Sequence, residues 1–497
     1  MFFNFLKKLY HTFFPAANNN EVIEDDKSVK LLSHSVSNTS FPVYLNDPTT
    51  PDLTTKVKFP SWKPLWPTMK FEYLNSKQTE FRKDTPEWQA AQAMWFISQA
   101  FETVQEAELW KSTARWPTGK PVLVRPRAGN DFNAFYDRRT LSFFYGQDKA
   151  NTVFTVESLD IVSHETGHAI LDIMRPELYS MQALEVWAYH EAFADIIAIL
   201  TSLSFSAVVD SIQQETSGDF KKSNVVSRVG EELGAAIYRM TKGKDGRVAG
   251  YLRNAVNDFK YVIPEKLPAN ALDNQLASEP HSFARVFVGA FYDIIAAMVD
   301  KAINSGLSFA DSINKARVDA TKLIIKGTLI APATPRFYDA VARSILALDR
   351  QNGGEYNDMI KAVFLKRNIL NNKQVKMLQM KEINNDQSIV DISSNTSKLI
   401  RIQSAKTIKL SDHFGIKAQA ENPLYECEID VPVEEYMEVN SDGLMIDSIG
   451  TSQKLVVNSA RECIKFLHKF DLVQLDSVQT NKPFKIENNK LTRNYFI

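Results

Sequence analysis

Residues 162–172 read VSHETGHAILD, which sets His164 and His168 four apart with Glu165 between them, inside an apolar run. On an α-helix, positions i and i+4 share a face. The two imidazoles can therefore offer nitrogens to one metal ion, while Glu165 projects beside them, within reach of a water on that ion. A catalytic zinc takes three protein ligands and keeps a fourth position open. The third ligand has a candidate in Glu191, within YHEAFADI, and Asp195 follows it at i+4. Asp195 has the right chemistry to hydrogen-bond a ligand histidine and fix its tautomer. Two plainer readings exist, a core helix that carries two histidines and an amphipathic helix whose acids face water. Ala192, Phe193, Ala194, Ile196 and Ile197 surround the two acids, however, and buried acids need partners. The conjunction of the two motifs favours a metal.

Such a site needs helices to carry it. From about residue 158 the apolar spacing is helical for some two hundred residues, with strong segments at 158–174, 184–206, 227–240, 281–304, 308–326 and 336–348. Thr85-Pro86 and Thr334-Pro335 read as cap and first-turn pairs that open helices. PVLV at 121–124 and the segment 134–145 read as strands. Past Asn371 short alternating runs, SKLIRIQ, ECEIDVPV and QKLVVN, suggest a small β-containing domain with one helix at 459–469. Residues 1–75 look irregular, with Pro60, Pro64 and Pro67 among tryptophans.

Composition narrows the chemistry. The chain has 497 residues, 44% hydrophobic and 24% charged, with net charge -1, so nothing biases it toward nucleic acid or anionic lipid. Cys427 and Cys463 are its only cysteines, which excludes a disulfide framework and a cysteine-built metal cluster. No uninterrupted apolar run is long enough to suggest a membrane span. In MFFNFLKKLYHTFFP the basic residues fall inside the aromatic run, the wrong order for a secretory signal. The expected location is cytoplasmic, or exported without a cleaved signal.

HExxH followed by ExxxD on the next helix resembles the thermolysin-like zinc metallopeptidases, within the wider gluzincins. The resemblance runs along roughly 85–370 and includes SLDIVSHETGHAILD, HEAFADI, NDFNAFYDRRTLSFFYG, YLRNAVNDFKYVIP and EPHSFARVFVGAFYDI, in the family's order. It implies an α+β fold, a two-lobed zincin with a mainly helical C-terminal lobe, extended here by a small β-containing domain. Combined with the texture of the flanks, the expected domains are an irregular segment 1–75, an α/β lobe 76–157 with the strand that lines the substrate cleft, a helical zinc-binding lobe 158–370, and an accessory domain 371–497 that has no counterpart in the family. The resemblance implies Zn2+ held by His164, His168 and Glu191, with Asp195 orienting a ligand histidine. Glu165 would be the general base of an endopeptidase that hydrolyses peptide bonds with a zinc-bound water. His281 and Arg253 would meet the charge on the substrate oxygen, with Tyr179 a transition-state tyrosine. Asn133 and Ala134 would hydrogen-bond the backbone of a peptide or protein substrate. His190 stands where the family usually has asparagine and reads as structural.

Three other readings compete. An aminopeptidase would need a motif that grips a free amine, and no GxMEN-like stretch occurs. An inactive zinc-binding scaffold for protein–protein interaction would have no use for Glu165. An interaction protein would work through a protein partner bound by residues 371–497, a role compatible with catalysis. Residues 1–75 are expected either to lie across the peptidase domains as a prosegment-like or docking arm that restrains the cleft, or to be a flexible tail with a small packed anchor near Trp62 and Trp66.

Overall fold

A computed structural model describes residues 39–375 and 398–493, apart from 51, 64, 76–79, 110–112, 149–150, 245–249, 414–421, 440–444, 451–452, 470–471 and 475–483. It is an α+β chain. Strands β1 (Ser40–Tyr44) and β2 (Thr54–Lys58) pair antiparallel as a hairpin. Then come β3 (Met69–Phe71), helix α1 (Pro86–Gln105), β4 (Val122–Arg125), β5 (Ala134–Tyr136) and β6 (Thr140–Phe143). These four strands form one sheet in the order β3-β4-β6-β5, with β5 antiparallel at the edge. A second hairpin, β7 (Tyr145–Gln147) and β8 (Thr152–Phe154), leads into the helices. These begin with α2 (Leu159–Met174), the short α3 (Pro176–Ser180), α4 (Leu184–Ser202) and α5 (Ser206–Thr216). The two-residue β9 (Arg228–Val229) and β10 (Arg253–Asn254) pair on either side of α6 (Glu231–Thr241). Helices α7 (Pro280–Asn304), α8 (Phe309–Ile330), α9 (Phe337–Gln351) and α10 (Asn357–Lys366) complete this body.

Local chemistry accounts for some of the helix starts, whereas α9 begins at Phe337, past Thr334-Pro335, with no side-chain cap. The Thr85 hydroxyl accepts from the Trp88 N–H, with Pro86 in the first turn, as the sequence predicts. Ser308 caps α8 in the same way through Asp311. Helix α4 ends at Ser202 rather than running to 206, and α6 begins at Glu231 because 228–229 is spent on β9. The segment 134–145 is not one strand. Asp137 turns the chain by accepting from the N–H groups of Arg139 and Thr140, and Arg138 takes φ 70°, so β5 folds back on β6.

One core runs through this body, from Phe41 and Val43 on β1 through Phe96 and Phe101 on α1 to Phe287, Ile324 and Phe364. Residues 39–75 are therefore not an irregular arm. Phe41, Val43, Phe59, Trp66 and Phe71 are buried in the same core as helices α2 and α4, and residues 1–38 lie outside those described. Helix α7 is long and apolar enough to cross a membrane by composition, yet most of it is buried as the body's core helix.

A second core belongs to the C-terminal residues. Strands β11 (Lys398–Lys409), β12 (Glu428–Val439) and β13 (Met445–Gly450) precede helix α11 (Gln453–Lys469). Then follow β14 (Val473–Gln474), β15 (Phe484–Glu487) and β16 (Lys490–Arg493). The sheet order is β11-β12-β16-β15-β14, with β13 added on β12. QKLVVN opens α11 instead of forming a strand: Val456, Ala460, Cys463, Ile464 and Leu467 recur at helical spacing and are buried against the sheet.

Candidate active site

Helices α2 and α4 cross at a glycine. A Cβ built on Gly167 would stand 2.7 Å from the Cα of Ala194, so only glycine lets the two backbones approach this closely. The crossing brings His164 and His168 of α2 against Glu191 and Asp195 of α4. The Nε2 atoms of the two histidines are 3.2 Å apart and lie 3.4 and 3.6 Å from Oε2 of Glu191. Ligands about 2.0–2.2 Å from a tetrahedral zinc are spaced by roughly 3.3–3.6 Å, so these three donors fit one ion. Among the described residues this is the group of His, Cys, Asp or Glu whose ligand atoms converge, all within 4.8 Å. Oε2 of Glu191 is buried, faces three imidazole nitrogens and has no donor aligned on it. Once the two histidines of α2 give up their protons, that oxygen and the nitrogens facing it suit a cation.

The surroundings orient these donors. Asp195 Oδ1 lies 2.8 Å from His164 Nδ1, which leaves Nε2 to face the ligand triangle. Arg253 on β10 grips Asp195 with two bonds, Nη2 to Oδ1 at 2.6 Å and Nε to Oδ2 at 2.9 Å. Burial pushes the Asp195 pKa up, but Arg253 and His164 outweigh it and hold the carboxyl far below its usual range. Burial likewise opposes ionisation of Glu191, and His281 and His168 overcome it. Burial lowers the His164 pKa, while Asp195 and Glu191 lift it to about 10. A metal ligand must give up that proton, so metal binding and proton release are linked here.

His281 stands at the first turn of α7, behind Pro280. The cap is Glu279, whose carboxylate accepts from the N–H groups of His281 and Ser282 at 3.1 and 2.7 Å. The same carboxylate lies 2.8 Å from His281 Nδ1, and the far nitrogen, Nε2, lies 2.8 Å from Glu191 Oε2. His281 is thus aimed into the ligand group rather than serving as a helix cap. Burial lowers its pKa, and Glu191 and Glu279 raise it to about 9. Glu165 is buried within the same field of His164, His168, Glu191 and His281, and burial raises its pKa.

A model of the thermolysin metallopeptidase catalytic domain matches residues 23–172, and a model of the fungalysin metallopeptidases matches 142–372. The two overlap on 142–172, the stretch that contains His164, Glu165 and His168. Together the two matches span 23–372 and support a thermolysin-like zinc metallopeptidase family. No curated protein matches the chain.

Other residues that the sequence singles out for a thermolysin-like site lie outside this group of donors. Tyr179, on α3, is buried with its ring against Tyr136 and His190, and the Arg138 guanidinium lies 4.1 Å from its centre. His190 in turn stacks on His168 at 6.0 Å. Tyr179 therefore sits in an aromatic wall behind His168, and His190 is part of that wall. Asn133 is buried just before β5, where its carbonyl accepts from the Phe144 N–H and the Thr155 hydroxyl. Ala134 opens β5, the edge strand. Glu279 is the residue that sequence reasoning missed. Its signal was an acid two residues before a histidine at a proline-led helix start, EPHS.

Proposed function

We propose that this metallopeptidase is a zinc-dependent endopeptidase, and the observation that carries the reading is Glu165 beside three convergent donors. His164, His168 and Glu191 would hold the zinc, which supplies a Lewis acid that polarises a carbonyl and acidifies water. Glu165, in a site where burial already favours its protonated form, takes a proton from the attacking water and passes it to the leaving amine. His281, kept cationic by Glu279 and Glu191, donates toward the oxygen on which charge develops. Arg253 acts chiefly by locking Asp195 and, through it, the His164 ring. An extended peptide would add to β5 by backbone pairing, near Asn133 and Ala134. Binding along an open strand edge suits cleavage within a chain better than capture of a terminal amine.

The deciding experiment is Glu165→Gln. The variant should retain one zinc and the parent's circular dichroism while turnover of a cleavable peptide falls about 10²–10⁴-fold. Near-normal turnover would remove Glu165 from the reaction and return the chain to a zinc-binding scaffold.

A further inference from the structure

Helix α4 carries Glu191 and Asp195 in its middle, and its first turn is held from two sides. On one side Glu185 reaches into the catalytic body. Its carboxylate accepts from the Tyr261 hydroxyl at 2.6 Å, Arg336 Nη1 at 3.1 Å and the Tyr338 N–H at 3.2 Å. On the other side Leu184 and Trp187 are buried in the second core, the one built by the C-terminal residues. The Trp187 ring lies 5.6 Å from Phe484 and 6.2 Å from Phe466, and its indole N–H donates to the Met181 carbonyl at 2.9 Å. Just before the helix, the Gln182 N–H donates to the Asp430 carbonyl of β12 at 2.8 Å. Ala269, in the segment that leads to His281, packs against the same core.

The spacing gives this anchor a chemical consequence. Leu184 and Trp187 stand seven and four residues before Glu191, so all three lie along one stripe of the helix. Trp187 is about one turn, roughly 6 Å, from the metal ligand. A side chain fixed in a rigid pocket one turn away sets the rotation of the helix about its axis. That rotation decides whether Oε2 of Glu191 meets the two histidine nitrogens.

We propose that Trp187 is a positioning residue, through which the C-terminal unit holds α4 at the rotation that places Glu191 in the ligand triangle. The accessory unit then sets the zinc affinity of a site to which it contributes no ligand. The proposal rests on the metal-centre reading above. Contacts that orient ligands from outside the coordination sphere are worth about 10–100-fold in metal affinity.

Zinc affinity of the full chain, measured by competition with a chelator, tests it, with thermal unfolding of the zinc-free protein recorded beside it. Trp187→Ala should weaken zinc binding about 10–100-fold, and Trp187→Phe should stay within about threefold of the parent, because a ring still fills the pocket. Phe484→Ala leaves the sequence of α4 intact and acts only from the C-terminal side. It should weaken zinc binding in the same direction, by about 3–10-fold, which keeps the idea testable if Trp187→Ala does not fold. A purely structural contact would lower the unfolding temperature and leave zinc affinity unmoved, and that result in either folded variant overturns the proposal. A parent chain that binds no stoichiometric zinc would instead overturn the metal-centre reading, and this proposal with it.

Discussion

The two ends of the described chain attach to the main body in opposite ways. The N-terminal hairpin has no core of its own. Phe41 packs 5.3 Å from Phe81 and 6.2 Å from Phe59, the Trp88 indole bonds the Pro42 carbonyl, and Trp66 lies on Phe101. The C-terminal unit is built the other way. Its sheet and α11 bury Ile429, Val431, Ile464, Leu467 and Phe484 among themselves, and from the body's helices they take in Leu184 and Trp187. A segment sewn into a core is needed for folding. A segment with its own core, touching the body chiefly at the start of α4, is free to act on what that helix carries.

Truncation should separate these cases most sharply. A chain starting at residue 76 loses Phe41, Val43, Phe59, Trp66 and Phe71 from the main core. At about 1.5–3 kcal/mol for each buried side chain, the loss is roughly 10 kcal/mol, comparable to the whole stability of a typical fold. The expected outcome is insoluble protein, or soluble protein without a cooperative thermal transition. Higher peptidase activity with the fold intact would instead restore the inhibitory arm that the sequence suggests. A chain ending at residue 375 uncovers chiefly Leu184 and Trp187 and should keep a cooperative transition.

Single substitutions should draw the same line more finely. Phe41→Ala, in the main core, should cost about 3–5 kcal/mol and lower the body's unfolding temperature by on the order of 10 °C. Ile464→Ala, in the second core, should cost about 2–5 kcal/mol and move a separate, earlier transition. Calorimetry checks both. A single transition that shifts as one for either variant would show that the two cores unfold together.

What was legible in the sequence is what spacing alone decides. His164 with His168 and Glu191 with Asp195 are i, i+4 pairs, so their shared faces follow from helix geometry. The meeting of the two pairs was inferred from acids set among apolar neighbours and strengthened by the family resemblance, while its structural cause, Gly167 crossing α4 at Ala194, was not legible. The turn at Asp137 was hidden because AFYDRRTLSFFY alternates well enough to pass for one strand. The hairpin of residues 40–58 was hidden for a different reason: both strands are five residues long, and β2 is mostly exposed. Propensity is weak for such strands, and their partner, α1, lies far along the chain.

The hairpin also brings a group that no local spacing announces. Asp47, just past β1, is buried against the start of α2. The Ser158 hydroxyl bonds both Asp47 and Asp160, Asp160 Oδ2 accepts from the Gly230 N–H, and Asp47 Oδ1 accepts from the Glu232 N–H. Glu157, Glu231 and Glu232 stand around them, with Arg228 bonded to Glu231 and Arg239 to Asp148 at the margin. Burial, then the charge of Asp47, raises Asp160 to about 7, and burial raises Asp47 as well. Glu157 and Glu231 are pushed to about 7 and Glu232 to about 8, each first by burial. The folded chain therefore holds protons between about pH 4 and 8 that the unfolded chain releases. Stability from these groups is fully present below the ordinary carboxylate pKa and is lost as pH rises through 7. The share of one such group is expected to be the smallest effect set out here, no more than a few kcal/mol. Unfolding temperatures of the zinc-saturated parent and of Asp160→Asn, taken from pH 5 to 8.5, isolate it, because titration of the metal site is common to both. The parent should lose stability relative to the variant as pH rises, by several degrees across the range. Parallel profiles would mean that Asp160 is ionised throughout the range and that the folded chain holds no extra proton there.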